Sequence, residues 1–249
     1  MSTLPGRGYP HVPTDTLIPL PLEIPGVRAG FSCRPVDAAD RVGGIAWAAR
    51  AAGVSTGRVV LLRQVHGGLV VPAPWPSFPD AVEGDALVTG ETGLALCVRI
   101  ADCAPVALAA PGGRAIGLVH AGWRGVRAGV VAAGVAALAH RAGCTPDQLR
   151  AAVGPMIGPC CYRVGPEFRG FFEPRLLSGA GDILHFDLPE AVRTGLTGAG
   201  LTPEGVDDSR AWCSVCGRGA PAGVTLHSHR ESQGGPGRNI AFIVSGGSA

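Results

Sequence analysis

The sequence contains no lysine; all 21 basic residues are arginine. A lysine Schiff base and a Walker-type phosphate lysine are therefore excluded. Any anion must be held by arginine, by backbone N–H groups or by a metal. Aromatic residues make up only 5% of the chain, charged residues 16%, and the formal net charge is +2. A general nucleic-acid surface needs clustered charge with stacking rings, so no nucleic-acid partner is expected. No run is long enough for a membrane helix, and residues 1–30 are proline-rich without the apolar segment of a secretory signal. The expectation is a cytoplasmic protein with no membrane partner, its eight cysteines mostly reduced and forming no disulfide framework. The one asparagine, Asn239, opens no glycosylation sequon.

What the chain does have is apolar residue, glycine and proline. At 249 residues and 46% hydrophobic it can bury a sizeable core, and its 39 glycines and 22 prolines punctuate apolar segments as turns. Residues 1–25 read as a proline-rich arm, extended or disordered, before one domain over 26–246. Strands are expected at 27–33, at 58–65 with a continuation at 69–71, at 86–89, through 94–120, at 150–156, at 224–229 and at 239–244. Residues 72–80 read as a proline-rich loop. Helices are expected at 37–53, 126–143, 166–173 and 187–199, with Gly53 and Gly143 as stops and Asp187 as a cap. Thr145-Pro146-Asp147-Gln148 has the form of a capping box. Strands and helices mix without regular βαβ alternation. The fold class is thus α/β, a layered α/β sandwich with mixed β-sheets in a single domain.

Chemistry concentrates between Leu94 and Gly125. Cys103 closes one apolar strand in Ala101-Asp102-Cys103, and His120 ends another where a glycine-rich loop begins. His66, in Arg63-Gln64-Val65-His66-Gly67, stands at a similar break. Junctions of this kind leave side chains accessible. Two histidines and one cysteine supply the three protein ligands of a catalytic zinc site and leave a fourth position for water. Asp102 and Asp85 are candidate acceptors to orient an imidazole, and Glu83 or Asp85 a candidate base. Taken singly, Cys103 also fits a buried small hydrophobe, and a histidine at a strand end is often merely hydrogen-bonded. Cys213-x-x-Cys216 has a familiar metal spacing but lacks a second pair, and reads as structural. Cys160 and Cys161 are adjacent, poorly placed to chelate one ion, and read as loop packing.

For anions, the stretch from His120 to Gly125 precedes the long helix, so Gly122, free N–H groups and Arg124 could cradle a phosphate. Residues 154–159 could form a pocket wall or simply a turn. His227 and His229 would point to one side of a late strand and Ser228 to the other. Arg63, Arg230 and Arg238 complete the candidates for phosphate or carboxylate binding, each with a solvated surface as the simpler reading.

The motifs RQVHG, EGDALVT, ADCAPVAL, HAGWRG and VGPMIGPCCYRVGPE, in that order, followed by HSHRES and a late GR, resemble the laccase-domain purine nucleoside phosphorylases, the YfiH/YlmD-like family earlier labelled multicopper polyphenol oxidases. The resemblance covers residues 27–244. It implies a fold shared with toxin deamidases (a CNF/YfiH-like cysteine hydrolase fold) and a zinc triad on His66, Cys103 and His120, with copper as the older assignment. It also implies purine nucleosides and inorganic phosphate as partners. The implied reactions are phosphorolysis of adenosine, inosine, guanosine and methylthioadenosine, and deamination of adenosine by a metal-activated water. The implied assembly is a monomer or small homo-oligomer. Three departures bear on substrate binding. Residues 35–40 are shorter than in relatives, and an Asn-Arg pair expected in the first helix is replaced by Gly43-Gly44-Ile45, leaving Arg41 or Arg50 to substitute. The late LHSHRE lacks an aromatic before serine. The competing readings are a cysteine hydrolase or deamidase using Cys103 and His120, a copper-dependent polyphenol oxidoreductase, and a protein with an inactive pocket.

Overall fold

The computed structural model describes residues 16–73 and 82–246. Strands β1 (Leu17–Pro19), β2 (Val27–Ser32), β3 (Val59–Leu61), β6 (Ala95–Ile100) and β14 (Asn239–Ser245) form a five-stranded sheet in the order β1-β2-β14-β6-β3. Strands β4 (Val70–Pro72), β5 (Ala86–Thr89), β7 (Ala104–Ala109), β8 (Ile116–Ala121), β9 (Arg150–Val153) and β13 (Val206–Asp207) form a six-stranded sheet in the order β13-β9-β7-β8-β5-β4. A small third sheet is made by β10 (Arg163–Val164), β11 (Leu177–Ala180) and β12 (Ile183–Phe186). Both large sheets mix parallel and antiparallel pairs, such as β3 beside β6 and β14 beside β6.

Side-chain alternation explains the layering. On β14, Ile240, Phe242 and Val244 pack on helix α1 (Arg41–Ala52), while Ala241 and Ile243 face the other sheet. On β8, Ile116 and Leu118 face inward between the sheets. Ala115, Val119 and Ala121 face outward onto helices α3 (Val130–Ala142) and α4 (Leu188–Gly198). The result is helix, sheet, sheet, helix. Each central strand is buried on both faces, which is why these strands read as continuous apolar runs. Together with its mixed sheets, this is the layered α/β sandwich that the residue pattern indicates. No helix among the described residues is long and apolar enough to cross a membrane.

Local signals hold at several ends. Asp40 caps α1 by accepting from Val42 N–H, and Gly53 closes it at φ 64°. The Thr145–Gln148 capping box forms around a single 3₁₀ turn. Asp187 accepts the Glu190 N–H at 3.0 Å to open α4. Asp187→Ala should therefore destabilise the fold by about 1 kcal/mol, read as a lower urea midpoint at unchanged slope.

Several expectations need correction. The long helix begins at Val130, not at 126, because Gly129 adopts φ 80° and separates it from the one-turn helix α2 (Trp123–Arg127). The segment after β3 does not continue that strand: β4 joins the six-stranded sheet, so His66-Gly67-Gly68 is the crossover from one sheet to the other. Residues 224–229 form no strand. His227 N–H donates to Asn239 Oδ1 and Ser228 Oγ accepts from Glu231 N–H, which curls the chain into a loop. The expected strand at 150–156 stops at Val153. Of the proline-rich arm, residues 1–15 lie outside the described residues, but Leu17–Pro19 pairs with β2, and Leu20 and Leu22 are buried. The proline-rich loop at 72–80 lies outside them from residue 74 onward.

Candidate active site

Three neighbouring strands of the six-stranded sheet build the site. In the register of β7, β8 and β5, Pro105 is opposite His120 and Ala86 opposite Val119. Continued by one residue on β5 and by two on β7, this puts Asp85 beside His120 and Cys103 beside Gly122. All share parity with inward-facing residues such as Leu87, Ala107 and Leu118, so their side chains enter the space between the sheets. His66 reaches the same place from the crossover. The ligand atoms of His66, Cys103 and His120 lie within 4.8 Å of one another, and the two imidazoles meet edge-to-face at 5.0 Å.

One carboxylate organises both histidines. Asp85, fully buried, contacts His120 Nδ1 through Oδ1 at 2.9 Å. It also accepts the backbone N–H groups of Val65, His66 and Gly67 at 3.3, 2.9 and 2.6 Å. His66 sits at φ 59°, an uncommon conformation for a non-glycine residue, held by these bonds. Burial works against the Asp85 charge, but the His120 and backbone hydrogen bonds outweigh it and hold its pKa below the ordinary carboxylate value. Because Nδ1 is occupied, Nε2 is the His120 nitrogen left for a ligand.

Without a metal, Cys103 and His120 favour a thiolate–imidazolium pair. Burial disfavours the Cys103 thiolate, yet the His120 charge and hydrogen bonds from both histidines bring its pKa down to about 6. Burial lowers the pKa of His120, but Cys103 and Asp85 together raise it to about 9. A divalent cation would replace the proton shared by these groups. The donor set, one thiolate and two imidazoles with a carboxylate behind one of them, fits such an ion.

Gly122 is the floor of this arrangement. A Cβ there would come 2.6 Å from Cys103 Sγ and 3.3 Å from His66 Cδ2. Its structural role is thus close packing beneath the trio.

The trio opens onto a cavity of about 600 Å³ whose walls include Gln64, Trp123, Arg124, Tyr162, Arg230 and Arg238. Arg124 lies 4.4 Å over the Trp123 ring. Arg230 donates to the Arg163 carbonyl at 2.8 Å. Arg238 Nη1 is within 3.0 Å of the carbonyls of Gly235, Pro236 and Gly237. Arg63 is not on the cavity; it pairs with Glu83 at a half-exposed position, which also removes Glu83 from the reacting centre. Asp102 does not touch an imidazole. It takes φ 80°, accepts from Ser214 Oγ at 2.7 Å and from the Arg230 N–H at 2.7 Å, and so shapes the turn before Cys103.

Sequence reasoning overlooked Gln64, Trp123 and Tyr162 as individuals. Gln64 exchanges two 2.8 Å hydrogen bonds with the Arg99 backbone and ties the His66 loop to β6. Its signal was its place in RQVHG. Burial keeps the Tyr162 hydroxyl protonated. Trp123 and Tyr162 line the cavity with an arginine against each ring, Arg124 at 4.4 Å and Arg230 at 5.3 Å.

Comparison with known proteins places this geometry in a family. Residues 34–246 match the family described as multi-copper polyphenol oxidoreductase laccase. The chain belongs to this family. It is 35% identical over 203 residues to purine nucleoside phosphorylase YlmD of Geobacillus stearothermophilus, covering 75% of this chain and 72% of that one. It is 46% identical to a purine nucleoside phosphorylase of Streptomyces coelicolor over 124 residues, half of that protein's length. The crystal structure of YlmD from G. stearothermophilus superposes with a TM-score of 0.76 at 29% identity, covering 90% of this chain and 93% of that one.

Proposed function

We propose that this protein is a zinc-dependent purine nucleoside phosphorylase with adenosine deaminase activity in the same pocket. The observation that carries the reading is the convergence of His66, Cys103 and His120, with Asp85 behind them, at the end of a cavity with aromatic and arginine walls. The names borne by the relatives support the phosphorylase part of this reading. Zinc, when bound there, supplies Lewis-acid polarisation and an activated water. Among the described residues the only other group of potential ligands consists of cysteines, so a multicopper centre has too few histidines.

The chain's own residues divide the remaining work. Trp123 and Tyr162, each with an arginine against its ring, supply aromatic surface beside a purine. Arg124 and Arg230 present fixed positive charge to phosphate, and Arg238 stabilises the loop at the rim. In phosphorolysis, a phosphate oxygen forms a bond to C1′ of the ribose as the C1′–N9 bond breaks. The purine leaves with the electron pair and takes up the proton that the attacking monohydrogen phosphate gives up. Asp85 keeps the His120 Nε2 and the His66 loop in position throughout. Sealed from the cavity and fully hydrogen-bonded, it acts by orientation rather than as the base.

The test is incubation of the purified protein with adenosine. With phosphate present, adenine and ribose 1-phosphate should accumulate; without phosphate, inosine should. Stripping the metal with a chelator should abolish both reactions, and zinc should restore them. Full turnover by metal-free protein would overturn this reading. Rapid iodoacetamide labelling of Cys103 in the as-purified protein would favour the cysteine-hydrolase alternative.

A further inference from the structure

Four other cysteines meet on the far side of the cavity wall. The sulfurs of Cys160, Cys161, Cys213 and Cys216 all lie within 4.8 Å of one another, with Cys160 and Cys216 at 3.5 Å although 56 positions apart in the chain. We propose that these four thiolates hold a second, structural zinc ion.

The geometry answers the objection that adjacent cysteines cannot share an ion. In an extended strand they would point to opposite faces. Here both the Cys161 and the Tyr162 N–H donate to the Gly158 carbonyl at 3.0 Å, so residues 158–162 coil into a turn. Successive side chains in such a coil are about 100° apart rather than 180°, and two can face one centre. The second pair lies on a matching turn. The Cys213 N–H donates to the Arg218 carbonyl, the Gly217 N–H donates to the Cys213 carbonyl, and Gly217 takes φ 68°. A parallel bridge between Met156 and Cys213 holds the two loops side by side.

The distances suit a tetrahedron. Four sulfurs at about 2.3 Å from zinc are about 3.8 Å from each other, so a contraction of under about 1 Å closes the shell. The thiolates also have the outer hydrogen bonds that metal-bound sulfur uses. The Gly158 N–H donates to Cys213 Sγ at 3.4 Å, and the Arg218 backbone N–H to Cys216. With four protein ligands no position is left for substrate, so the ion is structural rather than catalytic.

Its place explains what it would hold. Ile157 N–H donates to the Asp102 carbonyl, and Ser214 Oγ donates to the Asp102 carboxylate. Both cysteine loops thus grip Asp102, the residue before Cys103. The second ion would fasten the wall of the active site without entering it.

Metal analysis of the purified full-length protein tests this. Wild type should carry two zinc ions per chain. Cys213→Ser/Cys216→Ser should carry one and lose thermal stability. His66→Ala/His120→Ala should also carry one, at the other site. The two failures are therefore distinct: an unchanged count in the cysteine variant overturns the present proposal, and an unchanged count in the histidine variant overturns the catalytic reading. Should the cysteine variant not fold, cobalt substitution of wild type serves instead, with intense thiolate-to-cobalt charge transfer from a tetrathiolate site expected. Absence of that absorption overturns the proposal. So does non-reducing peptide mapping that finds Cys160 and Cys216 joined as a disulfide.

Discussion

Asp85→Ala should weaken metal binding at His66, Cys103 and His120 by roughly 10- to 100-fold, the usual consequence of losing a carboxylate behind a metal-bound histidine. It should also destabilise the fold by about 3–5 kcal/mol, as removal of one partner from a buried charged network does. The reason is that a single side chain satisfies three backbone N–H groups and one imidazole in a fully buried place. Alanine leaves all of them unpaired and frees the His66 loop from its left-handed turn. Asp85→Asn keeps the shape and an acceptor oxygen, so its fold should suffer less than its metal affinity. Chelator competition measures the first effect and urea denaturation the second. The pH dependence has a definite sign. Because Asp85 is more acidic folded than unfolded, its stabilising contribution is complete above the ordinary carboxylate pKa and fades as pH falls through the folded value. The alanine variant should lack that part of the acid transition. Equal metal affinity in wild type and Asp85→Asn would refute the orienting role.

Gly122→Ala should leave the sheets intact and disable the site. The added methyl would sit 2.6 Å from Cys103 Sγ and 3.3 Å from His66. No atom tolerates the first distance, so the sulfur or the strand end must shift. Overpacking of this kind costs about 1–3 kcal/mol in stability. A displacement of about 1 Å at a reacting centre can cost 10²-fold in rate, so kcat/KM for adenosine should drop by about two orders of magnitude. Gly57→Ala, where a Cβ meets nothing within 4 Å, is the matched control and should behave as wild type. If Gly122→Ala kept full zinc and full turnover, Gly122 would not be the packing floor of the trio.

These variants also show what had to come from three dimensions. His66, Cys103 and His120 were legible because each stands where an apolar run stops, and a motif order reinforced them. Gly122 was legible as a glycine near an anion, but its neighbour across the strand pair was not. That neighbour depends on the register of β7 against β8. The partner of His120 was open between Asp85 and Asp102, since both lie near the right kind of break. Register selected Asp85, and Ser214 together with the Arg230 backbone claimed Asp102. The false strand at 224–229 had alternating residues, yet Asn239 and Ser228 bind its backbone into a loop.

The sequence by itself determined the apolar strands, the capped helices, the exclusion of lysine chemistry and the identity of three ligand candidates, because these follow from local periodicity and residue type. Only the tertiary structure decided that the chain changes sheets at His66, that one buried carboxylate serves both histidines, and that two distant turns bring four cysteines together. Those outcomes depend on which strands lie side by side and where loops close, contacts between positions far apart in the chain that no local pattern encodes.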